Sequence, residues 1–98
     1  MSKFVVSKLA KDDLKNIARF TEKKWGREQR NYYLKQFDET FFALASNPEI
    51  GRPCDFIRKG YRRFPQGRHV IFYMLDSDVR IIRILHKNMD IESAFADS

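Results

Sequence analysis

The sequence is poor in the residues that build covalently cross-linked or metal-stabilised folds. It holds one cysteine, Cys54, which excludes an internal disulfide or a cysteine-based metal site and is typical of a reducing compartment. No apolar run approaches the roughly 18 residues that a membrane-spanning helix needs. The first apolar run, Phe4 to Val6, is too short for a signal peptide. We therefore expect a cytoplasmic protein without membrane contact.

Glycine and histidine are also scarce. Gly51, Gly60 and Gly67 are scattered and follow no strand-to-helix pattern, so they form no phosphate-binding loop. The two histidines, His69 and His86, have no companions at metal-ligand spacing. Each could act as a general acid or base, but a half-buried ring bonded to neighbouring main chain is the favoured interpretation. We expect no cofactor, no metal and no catalytic set.

Positive charge, by contrast, is concentrated in one third of the chain. Residues 56–87 carry eight Lys and Arg against two Asp, whereas the remaining residues balance eleven basic with eleven acidic side chains. The whole net charge of +6 therefore lies in this segment. Such a balance favours acidic partners: nucleic acid, an enzyme of nucleic acid, or an acidic protein.

The hydrophobic pattern predicts a single α+β domain over residues 1–98, in the order β-α-α-β-β-β. A short strand, Phe4 to Val6, precedes Ser7, which can cap a helix. Two helical stripes follow, and their joint at Trp25-Gly26 is so short that they form an antiparallel hairpin. Three strands in an antiparallel meander are predicted at 61–64, 68–75 and 79–86. Residues 47–54 are expected to form an irregular connector, and 87–98 a tail with one turn after Asp90.

Both faces of the predicted sheet are apolar. In the strand 68–75, Phe72 and Met74 alternate with Ile71 and Tyr73, so neither face is polar. The helical hairpin can cover one face of this mostly antiparallel sheet. We expect the second face to stay exposed, fringed with arginine, and to bind a partner. The alternative is a curved sheet that buries both faces with help from the tail.

Arginines and aromatic residues are the candidate partner contacts. Arginines bind phosphates through paired hydrogen bonds, rings stack on bases, and the same cluster could receive the carboxylates of an acidic protein. A merely solvated charged face is the bland alternative. Arg83 lies among aliphatic residues, so it needs a carboxylate partner if it is buried. Trp25 is either hairpin packing or an exposed contact. The candidates are Trp25, Arg58, Tyr61, Arg62, Arg63, Phe64, Arg68, Tyr73, Arg80, Arg83 and His86.

Four landmarks resemble the ParE toxins of the RelE/ParE superfamily, from bacterial type II toxin–antitoxin systems. They are Leu9 to Leu14, Trp25-Gly26, Ile57 to Phe64, and Gly67 to Tyr73 together with Ile84 to Asp90. The resemblance implies a RelE/ParE-like fold and a toxin that traps DNA gyrase with cleaved DNA, blocking replication, without catalysis or cofactor. It implies two partners: a ParD-like antitoxin whose carboxyl-terminal segment wraps the toxin, and gyrase, through its A subunit.

Two other functions stay open at this point. RelE-like members of the superfamily are ribosome-dependent mRNA endonucleases, and His86 lies near where such enzymes carry a catalytic residue at the end of the last strand. The sequence has no Glu or Lys on the first two strands of the meander to complete such a site. A non-enzymatic nucleic-acid binder is the third possibility, which salt-sensitive DNA binding would favour.

Overall fold

Five strands form one sheet in the spatial order β1-β5-β4-β3-β2, in a computed structural model that describes residues 3–96. The elements are β1 (Phe4–Val6), α1 (Lys8–Trp25), α2 (Arg27–Ser46), β2 (Arg52–Pro53), β3 (Tyr61–Gln66), β4 (His69–Leu75), β5 (Val79–His86) and α3 (Ile91–Ala96). A single 3-10 turn, Pro48–Ile50, precedes β2. Only β1 and β5 pair in parallel. This confirms the α+β fold with a helical hairpin and a mostly antiparallel sheet.

The ends of the two long helices follow from local chemistry. Ser7 caps α1, since its Oγ accepts the main-chain N–H of Ala10 at 3.0 Å and donates to the Ile82 carbonyl at 2.7 Å. Gly26 has a φ of 96°, a region that favours glycine, and it ends α1 and begins α2 within one residue. Asn47 ends α2 because the following proline disfavours helical backbone.

The first core lies between the hairpin and the sheet. Both helices bury one stripe, as the hydrophobic period predicts. The buried residues of this first core are Ala10, Ile17, Phe37, Phe41, Leu44, Ile71, Tyr73, Val79, Ile81 and Ile84. Trp25, at the end of the α1 stripe, is 47% exposed and therefore does not belong to this core.

A second core covers the other face of the sheet. The prediction that this apolar face stays exposed is therefore wrong. The tail forms α3, whose Phe95 packs at 5.2 Å from the Phe72 ring and 5.9 Å from the Tyr61 ring. Cys54 and Leu85 complete this buried cluster. Burying these apolar side chains stabilises the fold, so even a short helix is held against the face. The alternative with a contributing tail is the correct one.

The connector between α2 and β3 is more ordered than expected. Its residues Arg52 and Pro53 form β2, paired with β3. The Tyr73 hydroxyl fastens the connector by donating to the Pro48 carbonyl at 2.6 Å and accepting the Gly51 N–H at 2.9 Å. Tyr73 is 0% exposed. Its assignment as a partner contact is therefore wrong, because its side chain is buried and its hydroxyl is hydrogen-bonded within the fold.

Candidate functional site

A cleft of about 320 Å³ opens at the end of the sheet where the β3–β4 turn meets the last residue of β5. Phe20 and Trp25 of α1 form one wall, and Arg68, His69 and His86 form the other. A second depression of about 240 Å³ shares Phe20, His69 and His86 with it. The two form one continuous recess between α1 and the ends of β4 and β5.

The second wall of the cleft contains a pair of histidines held by a tyrosine. His69 and His86 face each other in the β4–β5 register, with ring centroids 5.4 Å apart. His69 Nδ1 lies 2.8 Å from the Tyr33 hydroxyl, which is also 3.0 Å from the Gln66 carbonyl and accepts the Arg68 N–H at 3.2 Å. His69 is therefore bonded to a side chain of α2 rather than to main chain, whereas His86 Nδ1 accepts the main-chain N–H of Asn88 at 3.2 Å.

Burial controls the protonation of His69 and of the tyrosine that holds it. It lowers the pKa of His69 from its usual 6.5 to about 4; His86 lowers it further, and Asp13 opposes the shift. Burial also raises the pKa of the Tyr33 hydroxyl. At neutral pH His69 is uncharged and Tyr33 keeps its proton.

The turn beside this pair requires glycine. Gly67 has a φ of 59°, and a Cβ added there would lie 2.7 Å from the Tyr33 hydroxyl. A glycine at this position therefore serves both the turn conformation and the close approach of the tyrosine that holds His69.

The aromatic wall carries cations on its faces. Phe20 and Trp25 are 57% and 47% exposed, with ring centroids 6.1 Å apart in an edge-to-face arrangement. The Arg68 guanidinium lies 5.3 Å from the Trp25 centroid, and Lys24 Nζ lies 4.9 Å from it. Among the described residues that line the 320 Å³ cleft, none carries a carboxylate. This cleft is thus aromatic, positively charged and open to a ligand, whereas the second depression is also lined by Asp13.

The predicted contacts do not form one surface. Trp25, Arg68 and His86 meet in the cleft, whereas Arg80 lies at the other end of β5, 3.5 Å from Asp76. Tyr61 packs on the second core, and Phe64 packs on the first. Of the other predicted arginines, Arg83 lies on β5, and three lie on β3 or in the loop before it: Arg58, Arg62 and Arg63.

Arg62 and Arg83 also bind the fold itself. Arg62 Nη1 donates to the Gly51 carbonyl at 2.7 Å. Arg83 donates two hydrogen bonds of 2.8 and 3.0 Å to the Asp13 carboxylate, and this contact is the main cause of its raised pKa. Arg83 is half-buried and has the carboxylate partner that the sequence predicts for a buried arginine. Its guanidinium has little surface left, so Arg83 is not an open partner contact.

Phe20 and Tyr33 are functional candidates that the sequence did not reveal, and His69 was considered as a general acid or base but not as a partner contact. Tyr33 lies in the apolar stripe of α2, which reads as core, and Phe20 lies off the α1 stripe. The pairing of His69 with His86 had a detectable signal, since counting outward from the Asp76–Asp78 turn brings them nearly opposite. Neither spacing nor periodicity indicates that Tyr33 would reach His69 from a helix.

Other kinds of site are limited within the described residues. Across residues 3–96 no three His, Cys, Asp or Glu side chains gather in a way that could hold a metal ion. Over the same residues none of the helices has the length and apolar character needed to cross a membrane.

The fold and the cleft define a small α+β protein of the RelE/ParE type, with a basic and aromatic recess at one end of its sheet. A chain of the structure titled "Chromosomal ParDE TA system from P. aeruginosa" has the same fold, with a TM-score of 0.76 at 20% identity over 88% of this chain and 96% of that one.

Sequence comparison gives the family. The profile described as "ParE toxin of type II toxin-antitoxin system, parDE" matches residues 4–91. Toxin ParE1 of Caulobacter vibrioides is 39% identical over 90 residues, covering 92% of this chain and 94% of that protein. Toxin ParE1 of Mycobacterium tuberculosis is 36% identical over 93 residues, covering 93% and 95%. The chain belongs to the ParE toxin family of type II toxin–antitoxin systems.

Proposed function

We propose that this ParE toxin, acting as one domain over its 98 residues, inhibits DNA gyrase and so blocks replication, and that a ParD-like antitoxin neutralises it. Family membership over residues 4–91 is the observation that carries the proposal. The concentration of basic and aromatic side chains at the sheet supports it, because such a surface suits an acidic partner or a protein–DNA complex. The toxin acts by binding, in the cytoplasm, and needs no cofactor.

The groove of the helical hairpin is the best place for the antitoxin. It measures about 610 Å³ and lies between α1 and α2. Leu14 and Leu34 supply apolar surface, and Lys15 and Lys35 supply positive charge. An amphipathic antitoxin segment with apolar anchors and flanking acids complements this pattern. The arginines of β3 and the β3–β4 turn then remain available to gyrase or to further acids of the antitoxin.

One experiment separates the proposed function from the others. Purified toxin is added to a gyrase supercoiling reaction and, separately, to translating ribosomes. We expect loss of supercoiling with accumulation of cleaved DNA, intact mRNA, and reversal of both gyrase effects by the cognate antitoxin. Cleaved mRNA with unaffected gyrase would reject the proposal.

Ribosome-dependent mRNA cleavage is the second candidate, and one observation favours it. His69, His86 and Arg68 lie in one cleft, where an uncharged histidine could accept a proton and an arginine could stabilise a phosphate. The ribosome reaction tests this directly. If mRNA is cleaved alike by the wild type, by His69→Ala and by His86→Ala, neither histidine is the catalytic residue.

A further inference from the structure

We propose that the cleft beside Trp25 binds a single unpaired nucleotide, with its base against Phe20 and Trp25 and its phosphate on Arg68. This site goes beyond the proposed function, because the toxin alone would bind the nucleotide without gyrase or antitoxin. Deoxyribonucleotides and ribonucleotides share this chemistry of an aromatic base joined to a phosphate.

Size and shape admit one nucleotide. The cleft of about 320 Å³ is at the lower end of the range of small-molecule sites, roughly 300–1,000 Å³. It lies between a helix and the ends of two strands, so a duplex with stacked bases cannot enter. A base that has left its stack, with its own phosphate, has suitable dimensions.

Exposed rings provide the stacking surface. Phe20 and Trp25 each leave about half of their side chain in solvent, although buried positions lie one helical turn away at Ile17 and Thr21. Aromatic side chains on which bases stack are a common feature of single-strand binding proteins. Because the rings meet edge to face, they enclose a corner in which a base can lie on one ring with its edge against the other.

Charge selects an anion at the same corner. Arg68 is exposed, lies over the Trp25 ring, and has no carboxylate within ion-pair distance in residues 3–96. Lys24 adds a second cation against Trp25. A guanidinium presents paired donors that match a phosphate. An acidic peptide would use Arg68 but place no planar group against the exposed Phe20 ring, so the combination favours a nucleotide.

Polar groups that line the cleft can form hydrogen bonds with the edge of the base. Gln29 lines the cleft and offers an amide donor and acceptor. Because His86 Nδ1 accepts from Asn88, the neutral ring carries its proton on Nε2, which is therefore a donor. Uncharged His69 adds no repulsion to a second cation, so the positive charge stays at Arg68 and Lys24.

Trp25 is the single tryptophan of the chain, so its fluorescence reports on this cleft alone. The isolated full-length toxin is titrated with single-stranded thymidine and uridine tetranucleotides, and separately with inorganic phosphate and a tetraglutamate peptide, at one ionic strength. We expect saturable quenching by the tetranucleotides only. Tighter binding of the thymidine or the uridine oligomer identifies DNA or RNA as the source of the nucleotide.

Variants make the assignment specific. Arg68→Ala and Phe20→Ala should each weaken tetranucleotide binding about tenfold, the loss expected for one charged hydrogen-bonded contact or one stacked ring. Arg52→Ala removes the same charge from exposed β2, lines neither depression, and should leave affinity unchanged within about twofold. Circular dichroism confirms that each variant is folded.

Several results would overturn the site. These are the absence of saturable quenching, equal weakening by Arg68→Ala and Arg52→Ala, or equal quenching by tetraglutamate. A histidine NMR spectrum of the wild type serves as the variant-free check, since bound nucleotide should shift the His86 and His69 ring signals. Unmoved signals at saturation would also reject it. If gyrase still supercoils DNA normally in the presence of the toxin while the nucleotide binds, the proposed function is rejected and this site is unaffected.

Discussion

Asp13 of α1 and Arg83 of β5, seventy residues apart, form the ion pair that joins helix and sheet. Asp13 binds Nε at 2.8 Å and Nη2 at 3.0 Å, and it also accepts the main-chain N–H of Ile84 at 2.9 Å. Arg83 Nη1 reaches the Ala94 carbonyl of α3 at 3.4 Å. The Asp13 carboxylate thus bonds to the edge of β5 at Ile84, where the short strand β1 no longer pairs with it. The same carboxylate orients Arg83, which contacts α3.

Replacing Asp13 with Asn should destabilise the protein by about 2–3 kcal/mol, because it leaves a largely buried guanidinium without its charge partner. Urea unfolding measures the change. Arg83→Met in the same background should recover part of the loss, since the orphaned charge is then removed. Equal stability of wild type and Asp13→Asn would show that the pair contributes nothing.

Stability should fall as the pH is lowered from about 6.5 to about 4. Folded His69 has a pKa of about 4, below its usual 6.5, so the unfolded chain binds more protons across this window. Above pH 6.5 the ring is uncharged in both the folded and the unfolded chain, and its burial carries no charge penalty. The stability that this provides is lost as the pH falls toward the folded pKa of about 4. The full shift corresponds to ~3.4 kcal/mol at ~1.4 kcal/mol for each pKa unit, and solvent screening of this half-buried ring keeps the contribution below that value. His69→Gln should flatten the urea-derived stability profile between pH 4 and 6.5; an unchanged slope contradicts the assignment.

Tyr73→Phe should cost about 1–3 kcal/mol, because the Pro48 carbonyl and the buried Gly51 N–H lose their common partner. The midpoint of urea unfolding should fall. The matched control is Tyr32→Phe, which removes the hydroxyl of a side chain that is 52% exposed and should change stability by less than about 0.5 kcal/mol. Equal effects of the two substitutions would refute a special role for the Tyr73 hydroxyl.

Removing Arg62, Arg63 and Arg68 together, each to Ala, should weaken binding of the antitoxin or of gyrase by at least about tenfold, through lost charge-assisted contacts. Titration calorimetry with each partner measures the loss. Lys3, Lys8 and Lys11, exposed near the amino terminus, supply the control triple variant with the same charge change. Unchanged affinity for both partners would contradict the assignment of these arginines.

Periodicity and turn chemistry were enough to predict the helical hairpin and the three-stranded meander. Their cause is local: the Ser7 cap, Gly26 with its positive φ, and the proline after Asn47 each act within a few residues. The two-residue strand β2 was not predictable in this way. It exists because β3 offers a free edge and Tyr73 fastens the connector, which are contacts across the fold.

The candidate site was only partly predictable for the same reason. Composition placed the positive charge on residues 56–87, and local pattern placed Trp25 at a helix joint. Which cations meet which rings depends on how α1 lies across the ends of β4 and β5. That arrangement brings Arg68 to Trp25 and separates both from Arg80.

By itself, the sequence determined the order of the main elements, the concentration of charge and the resemblance to ParE toxins, because these are properties of residues near one another in the chain. Tertiary structure alone decided that α3 covers the second face, that Tyr73 is buried, and that Tyr33 from a helix holds His69 of the sheet. Those outcomes depend on burial and hydrogen bonds between distant segments, to which periodicity is blind. The cleft therefore depends on the packed fold, because its lining side chains come from segments that are distant in the sequence.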